Sequence, residues 1–173
     1  MIKTLSNLPA IETKRLRLAP LSLGDAQALR ELTDDPAITS VVHFLHSPFT
    51  LSDAESLIQQ GGDGRDQFIG AWRREDGRLI GTVGTHMRNP DEIEIGYWIA
   101  GAMHGRGYGS EAVRGIVMLL EQEFPKNRIT AECRLENIAS WHLLEKLGFR
   151  PTGGAGTRPG RQLLVLTDCK SAS

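Results

Sequence analysis

The stretch from Glu92 to Glu111, EIEIGYWIAGAMHGRGYGSE, constrains the fold of this chain more than any other. It alternates like a strand, bends through glycines at positions 101, 105, 107 and 109, and runs on into a helical pattern. A helix N-terminus presents unpaired backbone N–H groups and the positive end of the helix dipole, and glycines let an anion come close to the main chain. The order strand, glycine bend, helix therefore predicts either an anion site or a plain strand-to-helix turn. Within the strand, Ile93, Ile95, Tyr97 and Ile99 share one face, and Glu92, Glu94, Gly96 and Trp98 share the other.

The flanking chain reads as a mixed α/β pattern. Arg15 to Ala19 alternates as a half-buried strand that Pro20 ends. Ser22 or Asp25 caps a helix through Thr33, which the Asp34-Asp35-Pro36 run breaks. Residues 37–50 are irregular, and with His43, Phe44, His46 and Phe49 they suit a cleft lining, unless Val41, Val42, Phe44 and Leu45 simply pack as core. A short helix starts at Ser52 and ends near Gly61-Gly62. Residues 67–73 and 79–87 read as two strands of a hairpin turned by Asp76-Gly77. Beyond the bend, Ala112, Val113, Ile116, Val117, Leu120 and Phe124 recur at helical spacing up to Pro125. A buried strand at 129–133, a helix at 137–147 stopped by Gly148, a glycine loop at 153–160 and a strand at 163–167 complete the chain.

Composition narrows what such a chain does. Its 173 residues suit a single domain over 1–173, and 20 Lys+Arg against 21 Asp+Glu give a net charge of -1. That balance removes the electrostatic case for nucleic acid or a membrane surface as the main partner. Cys133 and Cys169 stand far apart, with neither a disulfide framework nor zinc-ligand spacing, so no metal is expected and a reducing compartment is. The N-terminus lacks the apolar core of a signal peptide, and no run approaches a membrane span, which predicts a cytoplasmic protein.

Two phosphate motifs fail on the bend. The dinucleotide fingerprint counted from Gly105 and Gly107 needs a third glycine where Ser110 stands, and the preceding hairpin is antiparallel. A P-loop needs Gly-Lys followed by Ser or Thr, and the bend has no lysine. What remains, His104-Gly105-Arg106-Gly107-Tyr108-Gly109, resembles the pyrophosphate loop Gln/Arg-x-x-Gly-x-Gly/Ala of the GNAT superfamily of N-acetyltransferases, with His104 departing at the first position. The runs Glu94-Ile95-Gly96-Tyr97-Trp98 and Gly105 to Ala112 are similar to the RimJ/RimL branch, which acetylates ribosomal-protein N-termini. So are Asn137-Ile138-Ala139-Ser140 with Glu145-Lys146-Leu147-Gly148-Phe149, and the N-terminal run Glu12 to Leu18 with Asp25.

The resemblance implies a GNAT-like α/β (α+β) fold, with a mixed sheet of about six to seven strands flanked by about four helices. It implies acetyl-CoA as co-substrate and direct attack by a primary amine, either a protein N-terminus or a small molecule. Oligomeric state is left open, a homodimer among the options. In the cofactor site, His104, Gly105, Arg106, Gly107, Gly109 and Ser110 would hold the pyrophosphate, and Trp98 and Ile99 would pair with the pantetheine amides as an added strand would. Asn137 either caps its helix or touches the cofactor, or both. Gly96 marks a bulge or close packing. Many superfamily members carry a tyrosine as general acid seven residues after this Asn, where the present chain has Leu144; the branch suggests Ser140 instead. Glu94 is the candidate base, acting directly or through water as a partly desolvated carboxylate of raised pKa, or else a solvated strand carboxylate or a salt-bridge partner, with Glu92 and His86 behind it. Cys133 reads as core rather than nucleophile. The alternative to an enzyme is a non-catalytic acyl-CoA-binding module.

Overall fold

The computed structural model describes residues 3–167, so Cys169 lies outside the described residues. One sheet organises them, with strands β1 (Ile11–Glu12), β2 (Leu16–Pro20), β3 (Asp66–Arg73), β4 (Leu79–Asn89), β5 (Glu92–Ile99), β6 (Arg128–Arg134), β7 (Phe149–Ala155) and β8 (Arg161–Leu166). Their order across the sheet is β1-β2-β3-β4-β5-β6-β8-β7. Every neighbouring pair is antiparallel except β5 and β6, which the helical crossover makes parallel. The helices are α1 (Ala26–Thr33), α2 (Pro36–Thr39), α3 (Leu51–Gln59), α4 (Tyr108–Glu123) and α5 (Ile138–Lys146).

The alternation of β5 decides where the helices go. Ile93 and Ile95 turn to one face, where they pack with Val113, Ile116 and Leu120 of α4 and Leu144 of α5. Trp98 turns to the other, where it joins Phe68, Leu29 of α1 and Leu57 of α3. Its indole N–H donates to Thr33 Oγ1 at 3.1 Å, which ties α1 to the sheet. Two apolar layers therefore flank one sheet, as the strand pattern requires.

Expectation and structure differ in four places. The segment 37–50 is not wholly irregular: Asp35 caps a four-residue α2 by accepting from Ala37 N–H, with Pro36 at its first position. Within it Leu45 and Phe49 are core, whereas Val41 and Phe44 are exposed. Helix α3 begins one residue before Ser52, capped by a reciprocal Thr50–Asp53 box. The glycine loop at 153–160 is in part strand β7, an edge strand with a break in register between Pro151 and Ala155, where an edge tolerates proline. With the two-residue β1 and the short α2, this gives eight strands and five α-helices among the described residues. Finally, Gly96 sits at no bulge, since it pairs directly with Gly84 and the β4–β5 register shifts only between Met87 and Asn89.

What opens the sheet at Gly96 is a splay. The β5–β6 ladder runs from Glu92↔Arg128 to Ile95↔Ala131 and stops there, although β5 continues to Ile99 and β6 to Arg134. Past that point the two strands part, and each leaves an unpaired inner edge. A Cβ at Gly96 would meet nothing within 4 Å, so the first residue beyond the ladder faces open space.

Candidate active site

Two cavities meet at this splay. The larger, about 590 Å³, lies between Trp98–Ile99, the glycine bend, the first turn of α4 and α5. The smaller, about 130 Å³, lies across the sheet among Phe68, Gly84, His86, Glu94, Glu132 and Arg158. Val41, Val42, Tyr97, Trp98, Asn137 and Ser140 line both, so the splay connects one face of the sheet to the other.

The larger cavity brings together the expected cofactor residues Trp98, Ile99, His104, Gly105, Gly107, Gly109, Ser110 and Asn137, with Ser140 at its junction. Gly105 and Gly107 hold φ of +75° and +81°, which other residues rarely adopt. Among the described residues the N–H groups of Gly105, Arg106 and Gly107 have no backbone partner, and the first turn of α4 adds its own open donors. The result is a nest of N–H groups suited to a pyrophosphate. Two members differ in detail from expectation. The His104 ring turns back to the Ile99 carbonyl at 2.8 Å, so it braces the bend, and Arg106 does not line the cavity.

The Arg106 carbonyl instead accepts from Arg15 Nη1 at 2.9 Å. Arg15 also pairs with Glu111 at 3.2 Å and lies 4.1 Å over the Tyr108 ring. This one side chain clamps the bend to the first turn of α4. Thr13 Oγ1 accepts from Leu16 N–H at 3.1 Å and shapes the turn that presents it. The N-terminal motif thus serves the site without touching the cavity.

Asn137 caps α5, its Oδ1 accepting from Ser140 N–H at 3.3 Å, and it lines both cavities as well. Ser140 Oγ and Tyr97 OH lie 2.6 Å apart. Burial pushes the Tyr97 hydroxyl up to about 12 despite its bond to Ser140, so it keeps its proton at any physiological pH. Leu144 is core at 1% exposure, which leaves the Tyr97–Ser140 pair as the hydroxyl donors at the splay. Tyr97 lies within the matched EIGYW run, but alternation alone marks it as core.

On the opposite face, alternation puts a row of polar residues on neighbouring strands: Asp66, His86 and Glu94, in register. Glu94 is 5% exposed, yet its pKa is not raised. Burial pushes it up, but hydrogen bonds and charge from Arg88 at 2.7 Å and Arg158 at 2.8 Å outweigh that and hold it below the usual carboxylate value. The expected raised pKa therefore fails, because two guanidiniums stabilise the charged form. Arg158, on the turn between β7 and β8, also reaches Glu132 at 2.7 Å. No sequence signal marked Arg158, since loop 156–160 has no periodicity to read, and Glu132 lies inside a short strand with nothing to set it apart.

His86 has a different environment. Its Nδ1 lies 2.7 Å from Asp66, and its Nε2 has no partner among the described residues and sits on the small cavity. Burial pulls its pKa below 6.5 despite Asp66, so the ring is neutral at pH 7. The absence of a side chain at Gly84 makes room for it, since a Cβ there would lie 2.8 Å from His86 Nε2. Cys133 is buried in the core, where burial raises its thiol pKa, as suits a packing residue.

Comparison with known proteins agrees with this geometry. Residues 15–150 match the family described as an acetyltransferase (GNAT) domain. The uncharacterized N-acetyltransferase p20 of Bacillus licheniformis is 31% identical over 153 residues, spanning 84% of this chain and 85% of its own length. RimL, a ribosomal alpha-N-protein acetyltransferase solved in complex with coenzyme A, shares the fold with a TM-score of 0.79 at 16% identity, covering 91% of this chain and 97% of its own. A chimera of the spermidine N-acetyltransferase SpeG from Vibrio cholerae does so with a TM-score of 0.75 at 19% identity, covering 92% and 99%. The chain belongs to the GNAT acetyltransferases: it is an N-acetyltransferase that takes its acetyl group from acetyl-CoA.

Proposed function

We propose that the chain acetylates a primary amine, of a small molecule or a protein N-terminus, by direct attack on acetyl-CoA across the splay between β5 and β6. The observation that carries this reading is the junction of the two cavities at Tyr97, Trp98 and Ser140. The large cavity takes the coenzyme, with pyrophosphate on the N–H groups of Gly105 to Ser110 and pantetheine along the free edge at Trp98 and Ile99. The thioester then lies in the splay, and the amine enters from the side of Glu94 and His86.

An ammonium cannot attack, so the nitrogen first gives up a proton. His86 Nε2, neutral and facing the cavity, takes it. Glu94, low in pKa, acts by charge: it attracts the ammonium and orders a water toward it. The nitrogen lone pair forms the C–N bond, the tetrahedral adduct collapses with the C–S electrons leaving on sulfur, and the nitrogen sheds its second proton to water. Ser140, backed by Tyr97, donates a hydrogen bond to the departing thiolate, whose ordinary pKa of about 8.5 to 9 demands no strong acid. No covalent enzyme intermediate is needed, and Cys133 takes no part. A cytoplasmic setting, where acetyl-CoA is made and used, belongs to the same reading.

The test is thiol release from acetyl-CoA over a panel of amines and N-terminal peptides. Amine-dependent release is expected; coenzyme binding without it would overturn the proposal in favour of a binding module. For the base, log kcat/KM should fall as pH drops through a value below 6.5, and His86→Gln should lower kcat/KM by about 10²-fold or more and remove that limb. A limb that persists in His86→Gln and vanishes in Glu94→Gln would move the base to Glu94.

A further inference from the structure

The small cavity has more positive charge than its own carboxylates use. Glu94 Oε1 accepts from both Arg88 and Arg158. Glu132 Oε2 accepts from Arg158, and its Oε1 takes the N–H and O–H of Thr157. Each acid of the cavity thereby already holds a guanidinium. Two cations lining it remain, Arg134 and Arg161, and among the described residues neither has a carboxylate within ion-pair distance.

Their placement is costly. Arg134 and Arg161 stand directly opposite each other in the antiparallel β6–β8 ladder, and like charges in cross-strand register destabilise a sheet. Arg161 reaches the Val41 carbonyl only at 3.4 Å, and its buried Nε has no hydrogen-bond partner. Burial and the charges of Arg158 and Arg134 lower its pKa, the direction expected of a cation that lacks an anion. Neither arginine lines the coenzyme cavity, so the phosphates of the donor do not account for them.

We propose that the acceptor is an amine that carries a carboxylate, and that the guanidiniums of Arg161 and Arg134 seat that carboxylate while the amine faces the splay. The inference deepens the acetyltransferase reading of this cavity and rests on it. A guanidinium fork matches a carboxylate in shape and charge. The same surplus disfavours a polycation such as spermidine, the substrate named for one structural neighbour. The carboxylate can belong to a free amino acid or to an acidic side chain near a peptide N-terminus.

Matched pairs test this and separate the sources. Phenylalanine is compared with phenylalaninamide, Ala-Asp-amide with Ala-Asn-amide, and spermidine is run beside them. A charge-assisted pair of hydrogen bonds is worth about 10- to 100-fold in kcat/KM, so the acidic member of at least one pair should lead by that factor. Leadership by phenylalanine identifies the free amino acid, and leadership by Ala-Asp-amide identifies the peptide. Arg161→Ala should collapse the ratio to near one, with Arg161→Lys between, each variant first shown to bind acetyl-CoA. Equal rates within both pairs, a faster reaction with spermidine, or a ratio that survives Arg161→Ala would overturn the inference. Binding read without chemistry separates it from the proposed function: N-acetylphenylalanine should bind the CoA-loaded protein about 10-fold or more tighter than its amide, through Arg161. If no amine is acetylated while this difference persists, the catalytic reading fails and the anion site stands. If the two bind alike, the anion site fails whatever the turnover.

Discussion

At the scale of single residues, the site depends on pairs rather than on isolated groups. Tyr97 and Ser140 come from different elements and lie on the same sheet face as the core, yet their hydroxyls meet at 2.6 Å where the two cavities join. If they stabilise the leaving thiolate as a unit, Tyr97→Phe and Ser140→Ala should each lower kcat about 10- to 100-fold with a small change in KM for acetyl-CoA. The double variant should then cost little more than the worse single one. Multiplying losses in steady-state kinetics would show two independent roles. The sequence pointed to Ser140 through its motif, but Tyr97 looked like one more apolar position in an alternating strand. Glu94 shows the opposite limit: its face was legible, whereas its pKa was not, because Arg158 lies 64 positions away on a loop with no pattern.

At the scale of elements, the periodic segments were the legible ones. Strand β5 runs over Glu92–Ile99 as its alternation implies, and α4 ends at Glu123, before Pro125, as its apolar stripe implies. Elements held by partners rather than by their own pattern were not: β7 carries Pro151, Gly153 and Gly154 and forms only because β8 offers an edge. The splay was equally hidden, since where the β5–β6 ladder stops depends on two strands that a helix separates. The role of the N-terminal motif belongs to this scale too. Arg15 joins the bend to α4 without reaching the cavity, so it positions donors that others supply. Arg15→Ala should raise KM for acetyl-CoA about tenfold, the worth of a lost charged contact, and leave kcat within about twofold. An equal fall in kcat would place Arg15 closer to the chemistry than the structure does.

At the scale of the whole molecule, the groups that equip the site also set how folding depends on pH. His86 and His43 both have pKa values below 6.5 in the folded state: His86 chiefly through burial, and His43 through burial and the charges of Arg158 and Arg161. The unfolded chain binds those protons more readily, so stability falls as pH drops through 6.5 toward the folded values. Glu94 adds a second step of the same sign. Its folded pKa lies below 4.5, so the stability it contributes is complete above the unfolded value and is lost as pH falls through 4.5 toward the folded one. Melting temperature should therefore decline from pH 7 to 5 and again below about 4.5. His86→Gln should flatten the first decline, because it removes the buried group that resists charging, and leave the second in place. Glu94→Gln should do the reverse, at the cost of lower stability at pH 7, where Arg158 loses one of its two carboxylates. Thermal unfolding of the protein and the two variants across this range decides the matter: an unaltered first decline in His86→Gln would mean that His86 charges freely in the folded state, and it would then be no better prepared than an exposed histidine to take the proton of the amine.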